Sequence, residues 1–122
     1  MFTIKEVYDI VVDHVKAGGK RSTAKTSWSS YASCQYRGDN GARCFVGLII
    51  PDEDYHQSWE NGYDAFDLVR NGMLKGSREY GRALADLQEI HDNPLSWNEE
   101  GAFANYVALD KWLEANKDVQ TE

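Results

Sequence analysis

Two cysteines, three histidines and a surplus of carboxylates are the side chains of this 122-residue chain that could perform covalent or acid–base chemistry. A thiolate nucleophile needs a base within hydrogen-bond reach and a carboxylate to orient that base, which makes Cys44, His91 and Asp92 the candidate catalytic set. His91 and Asp92 are adjacent, however, and neighbouring side chains on a helix leave its axis about 100° apart. That geometry argues against Asp92 orienting His91. The end of a helix, among C-terminal carbonyls, is the expected place for His91. Neither Cys-x-x-Cys nor His-x-x-x-His spacing occurs among Cys34, Cys44, His14, His56 and His91, so no metal and no cofactor is expected.

Arg37 and Arg43 offer a second kind of chemistry, because a guanidinium can grip a carboxylate or phosphate through two parallel hydrogen bonds. Pairing with Asp52 or Glu53 is the competing use of Arg37. A small-molecule or nucleotide site, or a small hydrolase, would draw on Arg37, Arg43, Asp52, Tyr55 and His91. Four Trp, seven Tyr and four Phe exceed what a core of this size must bury. Trp28, Tyr31, Tyr55 and Trp59 are therefore candidates for a protein-binding surface, where aromatic anchors are favoured.

Charge divides the chain. Residues 1–50 carry seven Lys and Arg against four Asp and Glu, and residues 51–122 carry six against sixteen, for a net charge of −7. Such a chain repels nucleic acid and anionic membranes as a whole. Nucleic-acid contact would have to use Lys16, Lys20, Arg21 and Lys25 with Trp28 and Tyr31 behind them, and Gly19-Lys20 lacks the spacing of a phosphate-binding loop. There is neither an apolar signal-peptide core nor a long transmembrane run, and Met1 leads straight into a helix signal. The expectation is a reducing cytoplasm with two free thiols.

The elements that must position these residues read as one domain over 1–122. Thr3-Ile4-Lys5-Glu6 is a capping box, followed by Ile4, Val7, Tyr8, Val11 and Val15 at helical spacing. Lys20 to Ser33 reads as an exposed connection. Asp39-Asn40-Gly41 suits a three-residue hairpin loop that pairs Tyr36 with Cys44 and Cys34 with Val46, so a β-hairpin is expected whose first strand begins near Tyr31 and whose second ends at Ile50. Three helices follow: one near Tyr63 to Val69, one capped by Ser77 with Tyr80, Leu84, Leu87 and His91 on one face, and one opened by Ser96-Trp97-Asn98-Glu99. In the last, Phe103, Tyr106, Val107, Asp110 and Leu113 mark the inward stripe. The expected fold is α+β: an N-terminal helix, a central antiparallel β-hairpin, then about three helices packed on one face of the small sheet.

Cys34-x-Tyr36-Arg37-Gly38, Cys44-x-x-Gly47-x-x-Ile50-Pro51-Asp52-x-x-Tyr55 and Leu87-Gln88-x-x-His91-Asp92 together resemble a family of small, functionally uncharacterised proteins encoded by bacteriophages and prophages. The resemblance spans most of the chain and departs from it at residues 22–33 and from Tyr63 to Gly81. It implies an accessory protein acting in the cytoplasm of a bacterial host cell. A non-catalytic protein that binds, and so inhibits, a host bacterial protein, for example one of a defence system, is the function these features favour.

Overall fold

The computed structural model describes residues 1–25 and 32–122, so the expected contacts of Trp28 and Tyr31 lie outside the described residues. Its first helix, α1, runs from Ile4 to Lys16. The capping box is present in full: Thr3 Oγ1 accepts from Glu6 N–H at 3.2 Å, and the Glu6 carboxylate accepts from Thr3 N–H at 2.9 Å. Ile4, Val7, Val11 and Val15 are its buried stripe.

Two short strands follow, β1 (Thr23–Lys25) and β2 (Ala32–Cys34), paired antiparallel with Thr23 opposite Cys34. This corrects the view of residues 20–33 as a simple exposed connection, since Ser22 is fully buried at its start.

The expected β-hairpin from Cys34 to Ile50 does not form, and the fold is mostly helical rather than α+β with a central sheet. Its turn is there. Gly38 N–H donates to Ala42 O at 2.9 Å around Asp39–Gly41, with Asn40 and Gly41 at φ of 60° and 76°. Beyond it a single bridge joins Arg37 to Arg43, and the ladder stops. Two physical reasons account for this. Cys44, Phe45, Val46 and Gly47 are all buried, whereas a one-sided strand would expose every second residue. The run therefore coils: Leu48 N–H reaches Cys44 O, Ile49 N–H reaches Val46 O, and Gly47–Ile49 forms a 3₁₀ turn. On the other limb, the backbone N–H groups of Tyr36 and Arg37 are taken by the Glu60 carboxylate at 2.9 and 3.0 Å, so no strand partner is needed there.

Three helices complete the fold. Helix α2 is Ala65–Arg70, capped by Asp64, and α3 is Arg78–Asp92, capped by Ser77. Tyr80, Leu84, Leu87 and His91 form the buried face of α3, as the spacing requires. Asn93-Pro94 ends it in a short 3₁₀ turn, Pro94–Ser96. The last helix, α4, is Tyr106–Asn116 with Asn105 as its cap, so it starts later than the Ser96–Glu99 signature suggests. Trp97 instead bridges to Phe103 across a turn in which Asn98 Oδ1 accepts from the N–H groups of Glu100 and Ala102. The inward stripe is corrected too: Leu109 and Trp112 are buried, while Val107 is 64% exposed and Asp110 lies at the surface, accepting from Tyr8 Oη at 2.6 Å.

One apolar cluster joins α1, the 44–50 segment and α2 to α4. A Cβ on Gly47 would lie 2.2 Å from the Tyr36 carbonyl oxygen, a rigid backbone atom. Gly47→Ala is expected to cost about 1–3 kcal/mol by forcing these two segments apart. A urea-denaturation midpoint unchanged from that of the parent chain would refute the close approach.

Candidate functional site

Helix α3 delivers its C-terminal turn into a cage of rings. His91, fully buried, meets Phe45 and Trp97 edge-on at centroid distances of 5.0 and 5.5 Å. Both ring nitrogens are engaged. Ser22 N–H donates to Nε2 at 3.0 Å, which places the lone pair on that nitrogen. The neutral ring then carries its proton on Nδ1 and donates it to Asp92 Oδ1 at 2.8 Å. Asp92 thus does orient its own neighbour, against the expectation from helical spacing. The angular separation applies to the Cα–Cβ directions, and side chains this long close it within the last turn.

The same carboxylate oxygen accepts from Gln88 Nε2 at 2.9 Å, one turn earlier, and Gln88 Oε1 accepts from Val46 N–H at 3.3 Å. Arg21 donates to the Asp92 carbonyl, and Trp97 Nε1 donates to the His91 carbonyl at 2.8 Å. The last two carbonyls of α3, those of His91 and Asp92, are therefore satisfied by Trp97 and Arg21, and not by the His91 side chain.

The thiol brought to this network is Cys34 rather than Cys44. Cys34 Sγ lies within 4.8 Å of donor atoms of His91 and Asp92. Burial, then the Asp92 charge, pushes its thiol up to about 11, with Arg21 pulling the other way. Cys44 is wholly buried beneath, its thiol pushed higher still by burial and its sulfur accepting from Gly47 N–H at 3.1 Å. Neither sulfur meets a free imidazole nitrogen, since Nε2 already holds the Ser22 amide. The arrangement holds a neutral thiol and a fixed imidazole tautomer in place and does not generate a thiolate.

Arg37, Arg43, Asp52 and Tyr55 gather in a second cluster. The Arg37 fork donates to Gly47 O at 2.5 Å, Ile50 O at 2.8 Å and Asp52 Oδ1 at 3.1 Å, and its face covers the Tyr55 ring at 4.7 Å. Arg43 reaches the same Asp52 oxygen at 3.0 Å. Arg43, then Arg37, holds the Asp52 carboxyl below its usual range. Tyr55 Oη donates to Glu60 Oε2 at 2.7 Å. Trp59 is 6% exposed and belongs to the core, which corrects its assignment to an exposed binding surface.

A cleft of about 220 Å³ opens beside Cys34, Asp92 and Gln88 and is walled by Glu60, Asp64 and Tyr63. None of Arg37, Arg43, Asp52 and Tyr55 lines it, so the single site imagined around Arg37 and His91 divides in two. A nucleotide phosphate in this cleft would face three carboxylates. The basic stretch is divided as well: Arg21 turns inward to α3 and Lys20 Nζ lies 3.5 Å from Glu100 O, while Lys16 stays exposed.

Sequence reasoning named Cys34 and Gln88 without joining them to His91, and it gave no role in the site to Ser22 or Glu60. A usable signal existed for Gln88, because Gln and Asp four residues apart on a helix are hydrogen-bonding neighbours. Ser22 and Glu60 act through backbone N–H groups, which leave no residue-type signature.

Two measurements check this geometry. Arg37→Lys should lower stability by about 1.5–3 kcal/mol, because an ammonium lacks the planar fork whose two nitrogens reach two carbonyls and a carboxylate; an unfolding curve matching the parent chain would refute the clamp. In the native protein near pH 8, Cys34 should alkylate on the order of 100-fold more slowly than a free thiol. Its rate should climb toward pH 11 and rise in Asp92→Asn, while Cys44 reacts only on unfolding. Mass spectrometry of time-quenched samples reads both thiols, and a fast Cys34 at pH 8 would contradict the half-buried neutral thiol. No protein-family model, curated protein or solved structure matches the chain, so the meaning of the site rests on its own geometry.

Proposed function

We infer that this chain is a non-catalytic binding protein that docks onto another protein. In the setting its motifs imply, it is a phage accessory protein that engages and inhibits a host bacterial protein. The observation that carries the reading is an apolar groove of about 490 Å³ lined by Met1, Phe2, Ile49, Pro51, Met73 and Leu74. Met1 and Phe2 remain 59% and 38% exposed there. Unbranched Met and planar Phe side chains adapt to a partner's apolar surface, and an exposed patch of this kind marks an interaction site.

Charge narrows the occupant. Asp54 and Lys75 both line the groove, and Glu53 is exposed on the turn that Pro51 opens, beside Asp52, which is paired with Arg37 and Arg43, so acidic groups outnumber basic ones there. An apolar segment flanked by Lys or Arg complements both features, the apolar side chains supplying affinity and the basic flank steering approach.

Affinity capture from nuclease-treated bacterial lysate, run in parallel with Leu74→Asp, tests this. The parent chain should retain one host protein in stoichiometric amount, more weakly as salt rises, and the variant should lose it while keeping its circular dichroism. An empty lane, or retention that ignores Leu74→Asp, would remove the support for this reading.

A further inference from the structure

The fold brings together a donor set that sequence spacing hides. Cys34 Sγ, a His91 ring nitrogen and an Asp92 carboxylate oxygen lie within 4.8 Å of one another, although Cys34 is far from the other two in sequence. Thiolate, imidazole and carboxylate together suit a borderline divalent ion, with Zn²⁺ the best fit and Co²⁺ its spectroscopic substitute. The cleft of about 220 Å³ meets the cluster at Cys34 and Asp92, which provides an entry path and room for a water in the fourth position. We propose that Cys34, His91 and Asp92 form a three-ligand site for a zinc-like divalent metal ion.

Most of the surroundings suit a metal site, and the Ser22 amide at Nε2 is the contact that must give way. Gln88 Nε2 holds Asp92 Oδ1 at 2.9 Å, and Phe45 and Trp97 fix the imidazole plane, so the ligands are oriented before an ion arrives. Glu60 and Asp64 on the cleft wall add negative potential. The Glu60 oxygens are committed to the Tyr36 and Arg37 amides and the Tyr55 hydroxyl, so Glu60 contributes field and not a bond. Arg21, beside Asp92 and Cys34, is the opposing charge.

The protons balance in a way that leaves a signature. Binding releases the Cys34 proton to solvent. At His91 the ion takes the place of the Nδ1 proton now shared with Asp92 Oδ1 at 2.8 Å, and the ring stays neutral by accepting a proton at Nε2. That nitrogen currently accepts from Ser22 N–H at 3.0 Å, and two donors cannot face each other. Ion binding therefore releases the Ser22 amide, a change that an ion bound elsewhere would not produce.

The test uses the full chain, reduced and stripped with chelator, titrated with Co²⁺ alone and then with Zn²⁺. Stoichiometric Co²⁺ should raise a near-ultraviolet thiolate-to-cobalt charge-transfer band, Zn²⁺ should bleach it, and the Ser22 amide resonance should shift. Cys34→Ser should abolish the band, whereas Gln88→Ala should keep it and weaken binding about 10- to 100-fold. Protection of Cys34 from alkylation by Zn²⁺, read on the parent chain, requires no variant to fold. A parent chain without the band, a band that survives Cys34→Ser, or Cys34 alkylation indifferent to Zn²⁺ overturns the proposal.

Discussion

The hydrogen bond from Ser22 N–H to His91 Nε2 is the interaction on which the rest of this molecule's chemistry depends. It chooses the tautomer, and the tautomer supplies the proton that fixes the Asp92 carboxylate. The carboxylate in turn holds Gln88, which anchors Val46 and with it the coiled 44–50 segment. Losing that acceptor would strand a buried amide at a cost of about 1–3 kcal/mol, so the imidazole is as much a backbone partner as a side chain with chemistry of its own. A thiol beside such a network is shielded by it.

Glu60, on the wall of the same cleft, plays the corresponding part for a second stretch of backbone. Its two oxygens satisfy consecutive amides of Tyr36 and Arg37, while the Arg37 guanidinium satisfies the carbonyls of Gly47 and Ile50. A carboxylate and a guanidinium thereby replace the hydrogen bonds that a β-ladder would have supplied. This is how backbone groups along the buried Cys44 to Ile50 run find partners where the described residues form so little strand.

What could be read from the sequence follows the same division. Helices α1 and α3 announce themselves through caps at Thr3 and Ser77 and through apolar residues on one face, because those signals are local. The 44–50 run misleads because a short apolar stretch buried on all sides carries no periodicity that separates strand from coil. Ser96 to Glu99 misleads because a Ser followed three residues later by Glu also fits a turn, and here Asn98 organises it. At the site, His91 and Asp92 were legible as side chains with chemistry. Their true partners were not, since Ser22 contributes only an amide and Cys34 arrives through tertiary packing.

Gly38 and Gly47 carry a consequence of a different kind. A Cβ at Gly38 would sit 2.4 Å from Ser22 Oγ and 2.9 Å from the Thr23 backbone, as one at Gly47 would strike the Tyr36 carbonyl. Each glycine thus records a crossing of two chain segments. Any sequence that adopts this fold is compelled to keep both, whatever its own surface has been selected to recognise. The pair is therefore a geometric fingerprint that should persist through divergence in which the cysteines, the histidine and the exposed aromatics have all been replaced.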